Sequence, residues 1–331
     1  MNMCGSGNNP GTEQAGIANL GNRVSFGSLF ERFGMLMIFV ALFIICSIIS
    51  PVFLKPSNLL NVARQVSIIG IVSMGMTVVI LAGGIDLSVG PILACSALLV
   101  AGLKETGPVI TFIAAVLFGF LAGMLNGVII TKCKVQPFIV TLGAMSTYVG
   151  LGLTYSGGHP IIGTPKALAF LGQGKIGQFP VQAIIFAVVA VVVSIILKYT
   201  PLGRYTYAIG GNPEASKLSG IAVEKVTMFI YGISGLLSGF AGVIMATHLN
   251  VGEASLGDGM EMDVIAAVVI GGTSLKGGKG TVLGSVIGVL IIGVLSNLLN
   301  LVNVPGYAQM VFKGIIIVGA AILQGLQEKG R

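Results

Sequence analysis

The sequence predicts an all-α, polytopic integral membrane protein, and three observations carry that prediction. Apolar runs of about 20 residues, the length a helix needs to cross a hydrocarbon core, recur along the chain. Of its 331 residues 54% are hydrophobic and 9% charged, with a mean hydropathy of +0.99, which is too little charge to solvate the surface of a water-soluble protein of this size. The 50 glycines suit close helix–helix approach in lipid, while the period-two alternation of a membrane β-barrel is missing.

Taken in order, residues 1–24 are rich in Gly, Asn and Ser and read as a disordered cytoplasmic tail. A single membrane domain, 25–331, follows it. Phe26, Leu29, Phe30 and Phe33 share one helical face, with Glu31 and Arg32 off it, which suits a lead-in lying in the membrane interface. About ten spans are then expected, near 35–53, 62–82, 88–103, 108–131, 136–155, 181–198, 226–249, 260–272, 281–301 and 306–325. Two of them, 88–103 and 260–272, are short and bordered by glycine. Such segments are tilted, broken or re-entrant, which a membrane tolerates where protein or a cavity covers the backbone.

Charge sets the orientation. With the N-terminus inside, twelve of the 18 basic residues fall in cytoplasmic segments, among them Lys132, Lys134, Lys198, Arg204, Lys217, Lys225, Lys276 and Lys279. Lys55, Arg64, Lys104, Lys166 and Lys175 fall outside and Lys313 within the last span, so ten spans with both termini cytoplasmic satisfy the positive-inside rule.

The longest polar interruption is 198–225. Within it Asn212-Pro213-Glu214 opens a very short helix: Asn212 is a capping residue, Pro213 has no N–H to leave unpaired, and Glu214 sits at the positive end of the dipole. Gly220 supplies a residue that readily takes the left-handed conformation and ends it. A capped helix in a polar loop suggests a surface meant to be gripped.

Asp86, in GGIDLSVG, is the acid deepest in an apolar context. Gly83 and Gly84 break the preceding helix, and Asp86 is placed to cap the next one through the N–H groups of Ser88 and Val89. It belongs either to a broken helix lining a transport path or to a capped turn at the cytoplasmic face. VVIGGTSLKGG at 268–278, containing Gly271, Gly272, Thr273 and Ser274, resembles 78–90. Aligning the glycine pairs matches Gly83, Gly84, Leu87 and Gly90 with Gly271, Gly272, Leu275 and Gly278, as in a remnant of an internal repeat. Outside, the Gly- and Pro-bearing loop 156–180 and the acidic loop 251–263, with Asp258 and Glu261, offer surfaces for a soluble partner or are solvated connections.

Enzyme chemistry finds no footing. No phosphate-cradling GxxxxGK[ST] loop, GxSxG elbow or HExxH pair occurs, so ATP-driven work would need another subunit. The four cysteines and two histidines lack metal-ligand spacing, and basic residues are not interleaved with aromatics as in nucleic-acid binders.

GMTVVILAGGIDLSVG (75–90), LGRYTYAIGGNPEASKLSGI (202–221) and DVIAAVVIGGTSLKGGKG (263–280) resemble the membrane subunits of ATP-binding-cassette (ABC) importers for monosaccharides, the ribose permease family. The likeness runs from about residue 33 to the C-terminus. It implies a ten-span permease of the bacterial inner membrane that pairs with a second copy or close relative, binds a cytoplasmic ATP-binding-cassette ATPase, and receives a sugar from a periplasmic binding protein. ATP and Mg would sit on the ATPase, and no cofactor on this chain. The resemblance implies ATPase coupling at Glu214, Ala215, Ser216, Lys217 and Gly220, with Ser216 where the family pattern EAAxxxG has its second alanine; Arg204, for its charge, and Asn212 and Pro213, as caps, are coupling candidates beside them. Gly83, Gly84, Asp86, Ser88, Gly271, Gly272, Thr273 and Ser274 become candidates for the path or its helix breaks, and Asp258 and Glu261 for binding-protein docking. The alternative is an ion-gradient-driven secondary transporter with Asp86 as the coupling carboxylate.

Overall fold

The computed structural model describes residues 26–329, and the predicted tail at 1–24 lies outside them, as do the side chains of the lead-in. Thirteen helices are described: α1 (Phe26–Ile49), α2 (Pro56–Leu81), α3 (Val89–Gly102), α4 (Pro108–Lys132), α5 (Pro137–Ser156), α6 (Ala169–Gln173), α7 (Val181–Tyr199), α8 (Pro201–Gly211), α9 (Pro213–Leu218), α10 (Val223–Leu249), α11 (Met260–Ile270), α12 (Val282–Leu301) and α13 (Gly306–Lys329). Every one of the ten expected spans coincides with a helix. Six of them, α2, α4, α5, α7, α10 and α12, are long and apolar enough to cross a membrane. Proline opens α2, α4, α5, α8 and α9, where its missing N–H costs nothing.

Helix α2 is the hub: from Val66 to Leu81 nearly every side chain is buried, and α7, α10, α11 and α12 pack around it. Close approach comes from glycine. Gly119 and Gly123 of α4 meet Gly235 and Gly239 of α10 backbone to backbone, and Gly127 lies against Met228. Their four-residue spacing puts them on one face, which lets dispersion and weak polar contacts replace a hydrophobic drive that lipid does not supply. Polar pairs add to the seams: Asn58 and Asn297 exchange amide hydrogen bonds of 3.0 and 2.9 Å between α2 and α12, and the Thr77 hydroxyl donates to Ser285 Oγ at 2.9 Å.

The loops sort into two ends. At one, Lys132 pairs with Glu224, Gly278 N–H donates to Leu81 O, and Gly272 lies against Met35, so segments 82–88, 132–136, 198–225 and 271–281 share it. At the other, β1 (Ile161–Ile162) pairs antiparallel with β4 (Val251–Gly252), Lys104 donates to Ile162 O, and Gln173 reaches Thr247 O. A hairpin, β2 (Lys175–Ile176) with β3 (Phe179–Pro180), completes that end.

The two short spans begin inside the bundle. Helix α3, at 14 residues, and α11, at 11, are about 21 and 16 Å long at 1.5 Å per residue, well below a hydrocarbon thickness. Gly252 lies beside Ala97 and Leu98, and Gly257 beside Gly90. The segment before α11 therefore descends along α3 to its first turn, and the two N-termini meet there.

Candidate functional site

The polar loop 198–225 is a chain of capped helices. Thr200 ends α7 and starts α8, its hydroxyl accepting from Gly203 N–H, and Pro201 follows it. Asn212 repeats the device: its N–H closes α8 on Ala208 O, its Oδ1 accepts from Ala215 N–H at 2.9 Å, and Pro213 follows. Gly220, at φ +84°, ends α9 with Gly220 N–H on Lys217 O and Ile221 N–H on Ser216 O, the paired bonds of a left-handed C-cap. Three helices thus meet at two single-residue corners with no slack between them.

On α9 the side chains of Glu214, Ala215 and Lys217 are exposed, while Ser216 is buried and donates to Asn212 O at 2.8 Å. Arg204 is exposed on α8. Sequence reasoning passed over Leu218, which is 90% exposed at the end of α9. It is the large apolar side chain of a six-residue polar helix, and that mismatch was the available signal.

The helix breaks have the same geometry twice. Gly83, at φ +82°, donates to Ile80 O and Gly84 to Val79 O; Gly272, at φ +81°, donates to Val269 O and Thr273 to Val268 O. The likeness of 78–90 to 268–278 is therefore a likeness of caps, but its register is one residue off the glycine-pair alignment. Gly83 corresponds to Gly272, and Gly84 to Thr273, because the left-handed position defines the cap. Beyond the second break, Ser274 N–H donates to Lys279 O at 2.8 Å and Ser274 Oγ accepts from Lys276 N–H, folding 274–279 into a tight turn.

Asp86 is fully buried. Its Oδ1 accepts from the Ser88 N–H at 3.1 Å and the Ser88 hydroxyl at 2.6 Å, and its Oδ2 from the Ser234 hydroxyl at 2.9 Å. Ser234 stands about three turns into α10, so segment 82–88 dips from its end into the bundle and the carboxylate caps a turn there. Neighbours extend the network: Asn126 donates to Ser88 Oγ at 2.8 Å, Tyr148 donates to Ala122 O and Asn126 Oδ1, and Tyr231 and Thr141 donate to Ile85 O. This ties the break to α4, α5 and α10. None of those partners was singled out from sequence, although each is a polar residue within an apolar run. Neither ion pair described, Lys132–Glu224 at 2.9 Å or Lys313–Asp263 at 2.7 Å, includes Asp86.

Where the N-termini of α3 and α11 meet, Asp258 is exposed, but Glu261 is 4% exposed. This corrects its expected presentation to an outside partner: as the first turn of α11 packs on α3, Glu261 Oε2 is carried to the surface of Gly90 and left without a hydrogen bond. Lys313, within the last expected span, is held by Asp263 of α11 at 2.7 Å.

A mostly helical bundle with six membrane-competent helices and two half-length ones packed among them is the architecture of a multi-pass membrane protein. Residues 58–321 match the family described as branched-chain amino acid transport system / permease component, and the chain belongs to that family. The ribose import permease of Bacillus subtilis is 47% identical over 305 residues, covering 91% of this chain and 95% of that protein. The ribose import permease of Escherichia coli K12 is 40% identical over 306 residues, 91% and 95% of the two chains. An L-arabinose ABC transporter permease of Azospirillum brasilense is 34% identical over 321 residues, 96% and 94%. No solved structure matches the chain. It is a multi-pass inner-membrane transport protein.

Proposed function

We propose that this chain is the membrane subunit of an ABC importer that passes a monosaccharide, ribose or a close relative, from a periplasmic binding protein into the cytoplasm. A separate subunit hydrolyses ATP, with its Mg, and a second permease copy or close relative completes the path. The chain crosses the membrane ten times with both termini in the cytoplasm, so the end holding 82–88, 198–225 and 271–281 faces the ATPase. Helix α9 is the coupling helix, with Pro213, Glu214, Ala215, Lys217 and Leu218 as its contact surface and Arg204 beside it.

The observation that carries this reading is α9 itself: a capped helix whose ends admit no play, presenting an exposed leucine and two charges. A rigid element transmits displacement to the helices flanking it, whereas a floppy linker absorbs it. The names of the relatives support the cargo class, and a neutral sugar needs no buried charge in its path. The same names disfavour the ion-gradient alternative. Proteoliposomes holding the permease and its ATPase, supplied with ribose-loaded binding protein, are expected to accumulate ribose only with internal ATP. Uptake driven by a proton gradient with no ATPase present would overturn the reading.

A further inference from the structure

We propose that α8 is a transmission strut: through Gly210 and the Tyr207 hydroxyl it makes the two helix-break loops, 82–88 and 271–280, move together with α9. The proposal rests on the coupling role given to α9 above and names the residues that carry its motion inward.

The two loops are already joined. Gly278 N–H donates to Leu81 O at 2.9 Å, and a Cβ on Gly277 would lie 2.8 Å from Gly83 N and 2.9 Å from Gly210 Cα. Gly210 fills the notch between them. A Cβ there would run into Leu81 O and stand 2.5 Å from Gly278 N, so the helix rests on backbone from both loops at once. Tyr207, three residues earlier and on the same face, donates its hydroxyl to Gly280 O at 3.0 Å. Backbone packed on backbone has no rotamer with which to relax, and a close-packed contact passes on a shift that a flexible side chain would absorb.

The strut has no slack at its outer end, because Asn212 is both the C-cap of α8 and the N-cap of α9. Its inner end reaches both half-length helices. Loop 82–88 carries Asp86, which is bonded to Ser234 of α10, and leads into α3. Loop 271–280 closes α11, whose first turn packs on Gly90. A push on α9 therefore arrives at both half-helices together, the geometry a two-state bundle needs if an inner-end event is to change the packing at its centre.

The test uses the full transporter in proteoliposomes, measuring ATP hydrolysed, ribose moved and ATPase retained. Tyr207→Phe keeps the ring and removes one hydrogen bond; ribose moved per ATP is expected to fall about fivefold, the factor equivalent to a bond worth about 1 kcal/mol. ATPase retention and basal hydrolysis stay native. Gly210→Ala is expected to lower the ratio further, while Gly211→Ala, whose Cβ meets nothing within 4 Å, keeps it native. Glu214→Arg on α9 is run beside them. If Glu214→Arg releases or uncouples the ATPase while Tyr207→Phe keeps the native ratio, the strut is wrong and the coupling helix stands. If Glu214→Arg also leaves binding and coupling native, the coupling-helix reading fails and the strut fails with it.

Discussion

At the scale of single residues, Asp86 separates two mechanisms. Three donors converge on its two oxygens, so the carboxylate works as a hub of hydrogen bonds. Truncation by Asp86→Ala strands the Ser88 and Ser234 groups in a dry interior, which costs about 1–3 kcal/mol per unmet partner; a lowered unfolding midpoint in detergent is the expected outcome. Asp86→Asn keeps one accepting oxygen and is expected to retain most of the stability and measurable uptake at every pH. Abolished uptake in a stable Asp86→Asn protein would mean that the group must titrate, as an ion-gradient carrier requires. Glu261 is the converse case. Its Oε2 lies buried without a partner beside Gly90, and half-satisfied buried charge is costly. Glu261→Gln is therefore expected to raise the unfolding midpoint. A fall as large as that of Glu261→Ala would show that the charge itself is required.

At the scale of elements, the glycines decide which helices touch. Gly123→Val pushes a branched side chain into Tyr231 O of α10, a backbone atom that cannot move aside, and overpacking of this kind costs about 1–3 kcal/mol. The variant is expected to insert but to lose the α4–α10 seam, read as protease sensitivity at 132–136 in inverted vesicles; native resistance would count against the seam. The α11–α13 ion pair makes a different prediction. Lys313→Met leaves Asp263 unpaired in the bundle and destabilises, whereas Lys313→Met with Asp263→Leu recovers stability, as expected when removing both partners is cheaper than removing one. Thermal midpoints of the two single variants and the double variant check this. What was legible beforehand follows from the physics. Span length is a local property, so apolar runs located all ten of these helices, and Asn212, Pro213 and Gly220 announced α9 because caps are made by neighbours in sequence. The partner of a GxxxG face is not local: nothing in Gly119, Gly123 and Gly127 says that Gly235 and Gly239 lie opposite. For the same reason Asp86 was visible as an oddity while Ser234, 148 positions away, was not. The repeat was found in the wrong register because adjacent glycines look alike in sequence, and only backbone φ separates them.

At the scale of the whole molecule, the alternation of spans and the sorting of loops into two ends agree, yet neither says which end faces the cytoplasm. Charge supports the orientation proposed above. The end holding Lys132, Lys134, Lys198, Lys217, Lys225, Lys276 and Lys279 is the more basic one, and basic loops are retained inside. The chain carries its own reporter, since Cys133 is exposed at that end while Cys46 and Cys95 are buried. An impermeant thiol reagent is expected to label Cys133 in inverted vesicles and not in intact cells with a permeable outer membrane. With Cys4 and Cys133 changed to serine, Lys217→Cys should repeat that pattern and Lys166→Cys reverse it. Labelling of Lys217→Cys from the periplasm would turn the bundle over, placing α9 where no ATP-hydrolysing partner can reach it. The same result would bring the β1–β4 end to the cytoplasm, away from any secreted binding protein. Coupling, docking and direction of transport therefore stand or fall with this one orientation.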